Sequence, residues 1–173
     1  VVVIETSAGT IRAELWPDEA PKTVENFLHY VDAGFYDGTV FHKVFNGYSI
    51  QGGVRTADGR VKPTIRRPVV NESDSGLSNV TGTLAMAWED DPHSATTQFF
   101  INTADNPRYD YGRENDGDWG YCVFGQVVGG MDVVRAIEQA PTVGPEAEGR
   151  PARPVVIQSV RRVGGPKKKG SGR

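Results

Sequence analysis

The sequence predicts a mainly β fold, an antiparallel barrel of about eight short strands with two helices plugging its ends. Three observations predict it. Short β-branched and aromatic runs recur at close spacing, separated by Gly, Asn and Pro. Only two windows carry the 3.6-residue apolar period of a helix. The 173 residues contain no internal repeat and no boundary between two cores, so one domain is expected. Pattern alone leaves an α+β sandwich open.

Residues 1–6 (VVVIET) and 10–16 (TIRAELW) read as strands joined by a turn at Ser7-Ala8-Gly9. Val24, Phe27, Leu28 and Val31 fall at i, i+3, i+4, i+7 and predict an amphipathic helix. Asp18 and Glu19 favour its positive end, Pro21 suits its first turn, and Gly34 ends it. FHKVFNGYSIQGG (41–53) follows. Its Asn46-Gly47 pair predicts a type I′ hairpin turn, since Asn-Gly tolerates φ > 0 at both central residues. Residues 54–80 read as loop, 82–88 and 97–102 as short buried strands, and 104–120 as a long loop. YCVFGQVV (121–128) is a strand, MDVVRAIEQA a second helix buried through Val134 and Ile137, and 153–163 a closing strand. The last ten residues, 164–173, read as a disordered basic tail.

Hydrophobic residues make up 38% and charged residues 24%, and no stretch approaches the ~20 apolar residues of a membrane span. The net charge is −3. Without Lys167, Lys168, Lys169 and Arg173 the body holds 15 basic against 22 acidic residues, near −7, which argues against nucleic acid as a partner. Cys122 is the only cysteine, so no internal disulfide forms, and its apolar strand marks it as a buried, inert thiol. The three histidines lack metal-ligand spacing, so no metal site is expected. Asn71-Glu72-Ser73 and Asn79-Val80-Thr81 match the glycosylation pattern, a match that arises readily by chance.

The hairpin's apolar residues account for its fold, but not for His42, Lys43, Tyr48 and Gln51 crowded on one short element. Taken singly, His42 reads as a structural histidine and Lys43 as a solvated one. Of Phe99 and Phe100, alternation turns one inward. Glu89-Asp90-Asp91 reads as a solvated acidic loop that would favour basic residues near a ligand.

The stretch FHKVFNGYSIQGG resembles the central motif of the cyclophilins, the peptidyl-prolyl cis/trans isomerases. ETSAGTIRAEL, APKTVENFLHYVDAGFYDGTVFHKV, NESDSGLSNVTGTLAMA, HSATTQFFIN, WGYCVFGQVVGGMDVV and PVVIQSV agree with the family in the same order, and the wording is of the bacterial type. The resemblance implies a closed eight-stranded antiparallel barrel capped by two helices, covering 1–163. It implies isomerisation of Xaa-Pro bonds in a groove on the barrel's outside, without cofactor or metal. Expected partners are proline-containing peptides and unfolded proteins, met by a monomer.

Residue by residue, the resemblance puts His42 at the active-site His and Gln51 at the Gln that bonds the substrate backbone. Lys43 stands where the family has its catalytic Arg. Tyr48 stands at the Phe flooring the proline pocket, and Ser49 at the pocket Met. Ala87 and the neighbouring Trp88 match the peptide-pairing strand, Gln98 and Phe100 the groove Gln and pocket Phe. Tyr121 stands where eukaryotic members often carry His, and Tyr109 replaces a pocket Leu. Lys43, Tyr48 and Ser49 depart from the family pattern, so a weakened isomerase with a wetter pocket is expected. The rival expectations are a non-catalytic proline-peptide binding module or chaperone and, behind it, a small-molecule-binding barrel. The chain's wording and its start without Met slightly favour an exported, periplasmic protein over a cytoplasmic one.

Overall fold

The computed structural model describes residues 1–113, 118–144 and 149–164. Alternating apolar residues set the first hairpin: β1 (Val2–Thr6) and β2 (Gly9–Leu15) pair antiparallel with Ile4 opposite Ile11, both fully buried. Helix α1 (Pro21–Asp32) follows the predicted stripe, with Val24, Phe27 and Val31 buried and Leu28 partly so. Its start differs from expectation. Asp18 and Glu19 precede the first turn, which holds no acidic residue. The carboxylate of Glu72 takes their place, accepting from the Thr23 amide at 2.7 Å and the Thr23 hydroxyl at 2.8 Å. Free amides at a helix start need an acceptor, and here a distant loop supplies it.

Strands β3 (Lys43–Phe45) and β4 (Ser49–Gly52) form the predicted hairpin with Lys43 opposite Gln51. The turn is not type I′. Gly47 has φ +84° and Asn46 keeps a negative φ, as in a type II turn, with Tyr48 N donating to Phe45 O at 2.8 Å. The connection spans three residues, 46–48, so a two-residue I′ turn does not fit the register. Strands β5 (Thr83–Met86), β6 (Phe99–Asn102) and β7 (Val123–Gly129) follow, then α2 (Met131–Glu138) and β8 (Ile157–Arg162). Val134 and Ile137 are buried on α2 as expected.

All ladders are antiparallel, in the order β3-β4-β6-β5-β7-β2-β1-β8. The fold is therefore mainly β, an eight-stranded sheet curled into an open half-barrel with two helices. The closed barrel goes beyond these ladders: between the β3 and β8 ends lies an isolated bridge, Val40 to Val156. The concave side is filled by Phe27, Tyr36, Phe41, Phe99 and Phe124, with Phe27 packing at 5.1–5.6 Å on Tyr36, Phe99 and Phe124. This filling leaves the inside of the sheet to its own side chains. The Lys167–Lys169 tail lies outside the described residues.

Candidate active site

Alternation along β6 decides where the site lies. Phe99 points into the main core, while Phe100 points to the other face and forms a small cluster with Ala85 and Val123. Tyr109 and Tyr121 cover it: Phe100–Tyr109, Phe100–Tyr121 and Tyr109–Tyr121 meet edge to face at 5.8, 5.5 and 5.4 Å. Register places Gln51 opposite Phe100 and Lys43 opposite Gln51, so three strands set out a cation, an amide and an aromatic ring side by side.

A cleft of about 250 Å³ opens there, lined by Lys43, Phe45, Ser49, Gln51, Ala87, Trp88, Glu89, Phe100, Tyr109 and Tyr121. Eight predicted site residues therefore share one surface. Trp88 stacks on Tyr121 at 5.2 Å, and its indole N–H donates to Gly120 O at 2.9 Å, fixing that wall. Burial pushes the Tyr121 phenol above its ordinary range, so it stays protonated and can donate.

The other three predicted residues stand off the lining. Gln98 lies behind it, its side-chain oxygen accepting from Gln51 Nε2 at 3.1 Å and its backbone oxygen from Ala87 N at 3.0 Å. His42, 7% exposed, lines a second cavity of about 230 Å³ with Arg55, Pro151 and Pro154. Burial, then the nearby charges of Lys43 and Arg55, lower its pKa from the ordinary 6.5 to about 4 against opposing bonds at Val40 and Gln98. His42 is therefore a neutral, uncharged imidazole at neutral pH, buried beside the Gln51–Gln98 pair. Tyr48 sits in the hairpin turn, 44% exposed, with the Arg108 guanidinium 4.6 Å above its ring.

Several residues that place the cleft escape a sequence reading. Glu138 of α2 accepts from Gly47 N at 2.7 Å and Thr103 Oγ1 at 3.1 Å, holding the hairpin turn to the helix. Asn106 Nδ2 donates to Asn102 Oδ1 at 2.8 Å and to Tyr48 O at 2.9 Å. Asn102 in turn donates to Asn79 Oδ1 at 3.0 Å, and the network fixes the 3₁₀ turn Pro107–Tyr109 against the strands. Asn71 and Asn79 are both buried and bonded, so the two glycosylation matches fall on inaccessible side chains. Gly52 and Gly53 make the close crossing beside Gln51: a Cβ on Gly52 would lie 2.6 Å from Val40 O, and Gly53 has φ +101°.

Cys122 is buried, and that burial pushes its thiol up to about 11, the inert reading. Among the described residues no cluster of His, Cys, Asp or Glu is arranged to hold a metal, and no helix is long and apolar enough to cross a membrane.

Comparison with known proteins agrees with this geometry. A family model described as cyclophilin type peptidyl-prolyl cis-trans isomerase/CLD matches residues 1–162. A peptidyl-prolyl cis-trans isomerase of Streptomyces antibioticus is 49% identical over 164 residues, spanning 94% of this chain and 98% of its own. Peptidyl-prolyl cis-trans isomerase B of Escherichia coli is 48% identical over 142 residues, 82% of this chain and 86% of its own. The crystal structure of a Cryptosporidium parvum cyclophilin, determined in the presence of the dipeptide Ala-Pro, superposes with a TM-score of 0.76 at 26% identity, covering 95% of this chain and 99% of its own. With a curled antiparallel sheet, an outer-face aromatic cleft and these relatives, the chain belongs to the cyclophilin-type peptidyl-prolyl cis-trans isomerases.

Proposed function

We propose that residues 1–163 form one isomerase domain that accelerates rotation about Xaa-Pro bonds in exposed or unfolded segments, acting in the cleft of β3, β4 and β6. The observation that carries this reading is the register Lys43–Gln51–Phe100, which sets a cation and an amide beside an aromatic floor. For the fold, the Val40–Val156 bridge is read as the seam at which the sheet closes toward a barrel. The cleft is complete within one chain, which supports a monomer acting on proline-containing peptides.

The chemistry breaks no covalent bond. Amide rotation faces a barrier of about 18–20 kcal/mol because the C–N bond has partial double-bond character. As the bond twists, the proline nitrogen regains a lone pair. Lys43 donates to that nitrogen in the twisted state alone, which is differential binding of the transition state. Phe100, Tyr109 and Tyr121 hold the ring, and Gln51, braced by Gln98, bonds the backbone. The strand end at Ala87-Trp88 aligns the peptide, and Ser49 leaves the pocket wetter than an apolar wall would. His42 acts through Gln98 as a neutral positioning group, and Tyr48 meets the peptide at the mouth. A lysine carries a strongly hydrated point charge on a flexible stem, where arginine offers a planar fork. Turnover is therefore below what an arginine at 43 would give. Tenfold in rate corresponds to about 1.4 kcal/mol, the scale of one good hydrogen bond.

The test is NMR exchange of an Ala-Pro peptide with the wild type, Lys43→Arg and Lys43→Ala. Expected are acceleration by the wild type, several-fold more with Arg, and near-complete loss with Ala. Binding without acceleration in all three would instead make the cleft a proline-peptide binding module.

A further inference from the structure

Against Tyr109, one wall of the cleft, stands a cation that the isomerisation chemistry does not use. Arg108 sits in the 3₁₀ turn Pro107–Tyr109 and is exposed. Its guanidinium lies 4.6 Å from the Tyr48 ring centre and 5.0 Å from that of Tyr109. Nη2 donates to the Tyr109 hydroxyl at 3.2 Å. Such stacking restrains the guanidinium, and the donors that Tyr109 does not use form a fork that matches a carboxylate. None of the ion pairs among the described residues involves Arg108. The turn that carries it is anchored through Asn106 to Tyr48 O and Asn102. Tyr109 itself lines the cleft.

The cleft is also polar along its length. Tyr48 and Arg108 stand at the turn end of the β3–β4 hairpin. Glu89, which lines the cleft, stands beyond the opposite end of β5, past the pairing of Met86 with Phe99. An acidic group on a bound peptide meets a prepared cation at one end and a carboxylate at the other.

We propose that Arg108, held by Tyr48 and Tyr109, gives the enzyme a preference for substrates bearing an acidic side chain beside the proline, on the side facing the hairpin turn. The proposal rests on the prolyl-peptide reading above. The expected gain is modest, roughly one-and-a-half- to fivefold in kcat/KM, because an exposed ion pair is weak. It declines with added salt.

The test uses Ala-Pro peptides with Glu, Ala or Lys at each position flanking the dipeptide, assayed by NMR exchange and titration. At one flanking position the order Glu, Ala, Lys is expected for the wild type. It should vanish in Arg108→Ala and invert in Arg108→Glu, while Arg108→Lys keeps part of it. The ratio between peptides is the readout, so a general loosening of the turn does not imitate the result. Equal handling of Glu and Lys peptides by the wild type overturns the proposal, as does a Glu preference that survives in Arg108→Ala. If the neutral peptide is turned over in either case, the isomerase reading stands and the charge preference alone fails. If no peptide is bound or turned over, both fail.

Discussion

His42 stands off the lining of the cleft, in the wall of a second cavity. It is buried beside Lys43 and Arg55, and its pKa is displaced from 6.5 to about 4. The unfolded chain therefore binds one more proton than the folded chain between those values. Stability is full above pH 6.5 and declines as pH falls through that window. The whole contribution is about 3 kcal/mol. Asp37, whose carboxyl is held below its ordinary 3.8 by Arg161, loses its contribution only at lower pH and does not blur the window. Urea unfolding at pH 7 and pH 4.5 should show a smaller loss of stability in His42→Gln than in the wild type. An equal loss would exclude His42 as its source. At this same scale, the residue types of the cleft were legible in the motif. The reach of Arg108 across to Tyr48 was not, because it depends on a loop that no period describes.

Elements were legible wherever one face is apolar and the other is not. The stripe of α1, the alternation in β1 and β2 and the Phe99–Phe100 division all follow from burial on one side. What decides the ends of elements was less legible, because it is supplied from far along the chain. Glu72 caps α1, and Glu138 of α2 grips the β3–β4 turn. Neither residue announces this in its neighbourhood, where each reads as an ordinary surface acid. Glu72→Ala should cost about 0.5–2 kcal/mol, the usual value of a lost helix cap, with amide exchange at Thr23 accelerated. An unchanged unfolding midpoint and unchanged exchange would show that water serves Thr23 as well. The turn type was misread for a related reason: Asn-Gly permits two positive φ values, but the three-residue connection asks for one.

Across the whole molecule, the site and the core occupy opposite faces of one sheet. Phe27 ties α1 to Tyr36, Phe99 and Phe124 on the concave side, and Phe100 looks away from all of them. Phe27→Ala should cost about 3–5 kcal/mol in unfolding free energy. Peptide affinity measured below the transition should change little, and a parallel collapse of both would show that the faces are coupled. The sheet order has one more effect. β1 lies between β2 and β8, and Val163 N reaches Val1 O at 2.9 Å. β1 thus waits for a strand made far later in the chain, β8, before one of its edges is covered. Until β8 arrives, that edge offers unpaired amides and carbonyls to any extended segment nearby.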